Sequence, residues 1–216
     1  ARQNRRRVEA ELIRDLSLTA SGLLDPRVGG PSVRPPLPAE YANLTYANSA
    51  KWVESQGGDR YRRALYTFFQ RTSPYPMLMT FDSPDSNECS ARRESSNTPL
   101  QALTLWNDPV FFECAQALGR RVIREVADSG GAEQTLHERL AYAFTACLAR
   151  APDATERAEL ASLFAFQLAK YQQQPDAAAE VTGKQAPPTG TSVAEVAAWT
   201  AVGRVLLNLD EFITRE

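Results

Sequence analysis

Most apolar positions along this chain recur at helical spacing. Val8, Leu12, Leu16, Ala20 and Leu23, with Ile13 beside them, predict a helix over about 4–24. Asp25-Pro26 and Gly29-Gly30-Pro31 end it. Phe111, Cys114, Leu118, Val122 and Val126 form a second stripe, and Leu136, Leu140, Phe144 and Cys147 a third over about 132–149. Leu160, Leu163, Phe164, Leu168 and Tyr171 mark a fourth helix, and Val196, Trp199, Leu206 and Leu207 a last one. Leu100, Leu103 and Trp106 give a short helix ahead of the second stripe one apolar face. The expected fold class is therefore mainly α, a bundle of five or six helices burying their faces against one another.

Local chemistry places the helix starts. Thr98-Pro99 with Gln101 is a capping box with proline at the first helical position. Asp108-Pro109 repeats the device, and Asp153 with Glu156 and Ser192 with Glu195 open the last two helices. Residues 25–60 read as a long irregular Pro/Gly-rich insertion. Tyr41, Tyr46 and Trp52 within it argue that it packs on the domain, because aromatic rings gain too much by burial to stay in water. Residues 61–69 fit either a helix or a strand, with an extended segment preferred, and a short helix is expected at 77–81. The polar run 173–191 reads as a flexible linker within one domain spanning 1–216.

Composition narrows the function classes. With 43% hydrophobic and 23% charged residues, the chain can bury a core of ordinary size. A net charge of −2 gives no footprint for nucleic acid. Arg5, Arg6 and Arg7 are followed by Glu9, Glu11 and Asp15, the pattern of a solvated helix face. No run approaches the roughly 20 apolar residues of a membrane span. The opening Ala1-Arg2-Gln3-Asn4 reads as mid-chain, so a segment of a longer protein is expected.

Candidate chemistry is sparse. Cys89, Cys114 and Cys147 show no paired or metal-ligand spacing, so no metal site is expected; one disulfide stays open without a choice of pair. His137, the one histidine, has no nucleophile near it in sequence and reads as a surface residue. Asp82 and Asp85 flank Pro84, close to Glu88; two such acids can divide acid and base roles, but acids beside Ser-Pro steps usually serve turns. No catalytic residue is assigned. Arg92 and Arg93, with Asn97 and Thr98, lie at a helix start where an anion could bind. The preferred alternative has both arginines pairing with Asp82, Asp85 or Asp108 to staple the loop down, and Asn97 and Asn107 serving turns.

One resemblance covers these stretches. "GGPSVRPPLP", "DRYRRALYTFFQRT", "FDSPDSNECSARRESSNTPLQALTLWNDPVF" and "WTAVGRVLLNLDEF" together resemble the PSD1 (DUF1553) domain family of planctomycetes and related bacteria. Trp106 stands where the family usually has Leu, and Asp210 where it often has Asn. The resemblance implies the C-terminal part of a large exported protein, with a cytochrome-c-like region upstream. It thus implies a periplasmic or extracellular setting, upstream domains of the same polypeptide as partners, and a possible glycan ligand. Any haem would belong upstream, since this segment has no CxxCH and no cofactor is expected in it. Two functions follow as expectations: a non-catalytic interaction or scaffold domain, or an enzyme or binding domain for acidic or sulfated polysaccharide. In the second, Arg92 and Arg93 would hold the anion, and Asp82 or Asp108 would move the proton.

Overall fold

A computed structural model of the chain describes residues 6–38, 52–71, 73–84, 89–128 and 130–215. Among these residues are nine α-helices: α1 Ala10–Ser21, α2 Pro76–Thr80, α3 Pro99–Asn107, α4 Pro109–Glu125, α5 Ala132–Leu148, α6 Ala154–Gln173, α7 Pro175–Thr182, α8 Val193–Leu207 and α9 Asp210–Ile213. The count exceeds the expected five or six. Two of the helices, α2 and α9, are single-turn pieces, and α7 forms inside the run read as linker. Its signal is Pro175 at the first helical position, Asp176 in the first turn and three successive alanines, all favourable to a helix. Ala178 and Thr182 bury its inner side.

The chain divides into two compact units, residues 1–19, 23–112 and 213–216 forming one, and 20–22 with 113–212 the other. In the first unit, two-residue strands β1 (Arg6–Arg7) and β2 (Thr214–Arg215) pair antiparallel, with Arg6 opposite Arg215 and Arg7 opposite Thr214. Its core gathers Ala10 and Ile13 of α1 with Tyr75, Met77, Phe81, Leu105 and Phe111. The irregular region after α1 packs onto this core through Trp52, which stacks on Tyr75 at 5.8 Å and donates from Nε1 to the Pro35 carbonyl at 2.7 Å. Tyr41 and Tyr46 lie outside the described residues. The 61–69 stretch follows a 3₁₀ turn at Gly57–Tyr61, is interrupted by a second at Ala64–Tyr66 and is otherwise extended. Single parallel bridges tie it to the loop after α1 at Asp25–Arg62 and Val33–Thr67.

The buried face of α1 is not the one its apolar spacing suggests. Leu12 is exposed, while Ile13, Arg14, Asp15, Ser17 and Leu18 are buried. The reason is polar. Arg14, 1% exposed, donates to the carbonyls of Arg62 at 2.6 Å and Arg60 at 2.9 Å. Asp15 accepts from the Ala64 amide at 2.7 Å and from Arg63 at 3.1 Å. Buried polar groups of an irregular segment need partners, and α1 supplies them.

In the second unit, α8 is the central rod. Val196 through Thr200, Val202, Gly203, Leu206 and Leu207 are all buried, as expected of a helix surrounded by others. Gly119 of α4 lets that helix approach the α8 backbone at Trp199 and Thr200, and Gly203 of α8 faces Ala115. The expected caps open α6 and α8. Asp153 Oδ1 accepts from the Glu156 amide, Glu156 Oε2 accepts from the Asp153 amide, both at 2.8 Å, and Ser192 Oγ accepts from the Glu195 amide at 3.1 Å. Arg150 joins Glu156 to Glu211, each at 2.7 Å, closing the end of the unit.

Candidate functional site

The run from Phe81 to Asp108 carries most of the residues singled out above, and its geometry is set by Asp82. Asp82 holds a left-handed backbone, φ +61°, which costs a non-glycine residue free energy unless its surroundings fix it. Here they do. Its carboxylate accepts from Arg7 at 2.6 Å, the Ser96 amide at 2.8 Å, the Ser96 hydroxyl at 2.8 Å and buried Gln101 at 3.4 Å. Arg7 also donates to the carbonyls of Ser96 at 2.7 Å and Phe81 at 3.0 Å. Burial pushes the Asp82 carboxyl up, but the Ser96 amide and Arg7 together hold it below the usual carboxylate range. Such a group stays ionised and is a poor proton donor.

Thr98 and Gln101 form the expected capping box on α3. Gln101 Oε1 accepts from the Thr98 amide at 3.3 Å, and its Nε2 donates to the Thr80 carbonyl at 3.0 Å. One side chain thereby caps α3 and ties it to α2. The apolar face of α3 is arranged opposite to expectation. Leu100 is 60% exposed, Leu103 56% and Trp106 36%, while Gln101 and Leu105 are buried. Gln101 is drawn inward by the Asp82 network, which turns the greasy side of the helix outward.

Arg93 staples the loop, but to different partners from those expected. It meets Glu9 at 3.0 Å and Glu11 at 2.8 Å, the second in a two-pronged contact with both oxygens of Glu11. Asp82 is already held by Arg7, Asp108 is turned inward, and Asp85 and Glu88 lie outside the described residues. The Arg93 guanidinium is held still more firmly in its charged form by Glu11 and Glu9. Glu11 is raised by burial but lowered further by hydrogen bonds from Arg93 and its own backbone. Arg92, Asn97 and Thr98 are exposed, and among the described residues the Arg92 side chain has no ion-pair partner. Beside the staple lies a cleft of about 590 Å³ lined by Glu11, Leu65, Phe69, Leu78 and Arg93 among others. Of Arg92, Arg93, Asn97 and Thr98, Arg93 alone lines this cleft.

Asp108 is the most perturbed acid here. It is 8% exposed, and its Oδ1 accepts from the Val110 amide at 2.9 Å, capping α4 as expected. Burial raises its pKa to about 6, against the lowering influence of Val110 and Arg14. Between about pH 4 and 6 the folded chain holds a proton that the unfolded chain has released. The stability from this site is therefore greatest below pH 4 and is lost as pH rises through 6. Asp108→Asn keeps an acceptor for Val110 and removes the buried charge. Its urea midpoint is expected to rise at pH 7.5, by up to about 3 kcal/mol of stability, and to match wild type at pH 3.5. A loss at pH 7.5 would show that the carboxylate is needed in its ionised form.

Cys89 is exposed, Cys114 buried and Cys147 half-buried, all as free thiols. Burial pushes the Cys147 thiol up to about 12. His137 is half-buried on α5. Among the described residues no group of three His, Cys, Asp or Glu side chains could hold a metal, and no helix is long and apolar enough to cross a membrane. Sequence reasoning missed the buried arginines. Arg62 donates to the Pro31 and Gly29 carbonyls and lies 3.8 Å over the Tyr66 ring, holding the Gly29-Gly30 turn in place. The available signal was Arg14-Asp15 interrupting an apolar helix.

A mainly helical domain whose irregular region is pinned by buried arginines is thus the class of protein. The chain belongs to the PSD1 family, a family of unknown function (DUF1553), whose model matches residues 1–164. The match ends within α6, so the "LLNLDEF" block at 206–212 lies beyond it. No curated protein and no solved structure matches the chain.

Proposed function

We propose that this chain is a non-catalytic interaction module of a larger exported bacterial protein, and that it docks through α3 onto an upstream domain of the same polypeptide. The observation that supports this reading is the outward apolar face of Leu100, Leu103 and Trp106, carried on a helix whose Gln101 points inward. Contiguous exposed apolar side chains on a rigid element favour a partner's surface over water. The exported setting, periplasmic or extracellular, and the upstream partner rest on the family resemblance.

The polysaccharide reading draws less support. Arg93 is already balanced by two carboxylates, and a sulfate would have to displace Glu9 and Glu11 to reach it. Asp82 is locked in an ion pair, and Asp108 faces the core of its own unit. Thiol labelling tests the proposal. In the complete exported polypeptide carrying Leu103→Cys, the new thiol should react slowly with a maleimide; rapid reaction there would show that α3 stays uncovered.

A further inference from the structure

The second unit holds a cleft of about 680 Å³ between α5, α6 and α8. Its size falls within the range of small-molecule sites. The walls are apolar: Leu136 from α5, Phe164 and Leu168 from α6, and Trp199 from α8. Phe164 and Trp199 pack against each other with ring centroids 4.7 Å apart, which gives the floor a fixed shape.

The rim carries Asp128, Glu133, Glu195 and a single cation, Arg139. Arg139 is fully engaged. It donates to Glu195 at 3.0 Å, to Asp128 at 3.3 Å and to the Val126 carbonyl at 3.2 Å. Glu133 is exposed and has no ion-pair partner among the described residues. Three carboxylates face one guanidinium. The α5 N-terminus adds a partial positive charge of about half a unit, too little to reverse the sign. An anionic head would meet net repulsion at this rim, and a cationic head net attraction.

We propose that this cleft binds a small amphiphilic organic cation, with its apolar body against Leu136, Leu168 and the Phe164–Trp199 floor and its charged head at Glu133. The site is independent of the α3 surface, and neither reading depends on the other.

Three isosteric probes test it: 4-phenylbutylammonium, 4-phenylbutanol and 4-phenylbutyrate, each titrated into the full chain and followed by amide NMR shifts. Saturable shifts are expected at the start of α5 and along the facing turns of α6 and α8. The ammonium should bind at least threefold more tightly than the alcohol, and the alcohol more tightly than the carboxylate. Glu133→Lys, an exposed change that should lower the melting temperature only slightly because a cation is disfavoured in the first turn of α5, should weaken the ammonium at least fivefold and improve the carboxylate. Leu136→Arg should weaken the ammonium and the alcohol alike. Absence of saturable shifts at these residues overturns the proposal. So does a carboxylate that binds as tightly as the ammonium, or an ammonium affinity indifferent to Glu133→Lys.

Discussion

Arg14→Met is expected to destabilise the first unit by about 3–5 kcal/mol, which would lower its melting temperature by roughly 12–20 °C. The side chain is buried and unites α1 with the 57–64 segment through two carbonyls, those of Arg60 and Arg62. A charge-assisted hydrogen bond contributes more than a neutral one, and each carbonyl left without a donor carries its own desolvation cost. Methionine fills much of the volume but donates nothing. Arg14 also favours the ionised form of Asp108, so its loss makes that buried carboxylate costlier still. Arg14→Lys should rescue little, because a compact ammonium cannot reproduce the fork that reaches two carbonyls from separate nitrogens. Arg63→Ala, by contrast, removes a half-exposed partner of Asp15 and should cost under about 1 kcal/mol. Urea denaturation of the three variants checks the order; equal small losses would mean that the 57–64 segment is held by something other than α1.

The second large effect is at Gly119. A Cβ there would stand 3.1 Å from the backbone nitrogen of Thr200 and equally close to the carbonyl carbon and Cβ of Trp199. These are backbone and Cβ atoms of the fully buried Val196–Thr200 stretch of α8. Replacing glycine by alanine in an exposed helix interior stabilises by about 1 kcal/mol. At Gly119 the sign should reverse, with Gly119→Ala destabilising by about 1–2 kcal/mol after that propensity gain. Gly119→Val adds branched volume against backbone and should cost about 4 kcal/mol or more. Calorimetry of both variants measures this. A stabilising Gly119→Ala would show that α4 and α8 are farther apart than described.

These two sites show where the sequence was informative and where it was not. Helix starts were legible because caps are local: Thr98 with Gln101, Asp153 with Glu156 and Ser192 with Glu195 each begin the helix assigned to them. A few neighbouring residues decide such a start. The facing of a helix is decided by what lies across from it. Leu12 lost its place in the core because Arg14 and Asp15 had distant backbone groups to satisfy. Leu100 and Leu103 turned outward because Gln101 was needed by Asp82, 19 residues earlier. The staple at Arg93 was expected, but its partners lie more than 80 residues away, just before and at the start of α1, where no local pattern could point. The α7 helix was hidden for a different reason: its polar, alanine-rich composition resembles a linker, and only Pro175 followed by Asp176 marks its start.

The central claim is that the Phe81–Asp108 run is internal scaffolding whose product is a helix face offered to a partner. Native Cys89, exposed on the same run, provides an internal standard for it. Mass spectrometry of the proposed longer polypeptide carrying Leu103→Cys, quenched at intervals during maleimide treatment, gives both rates in one sample. Modification at position 103 at least ten times slower than at Cys89 is the predicted result; comparable rates at the two positions would contradict it.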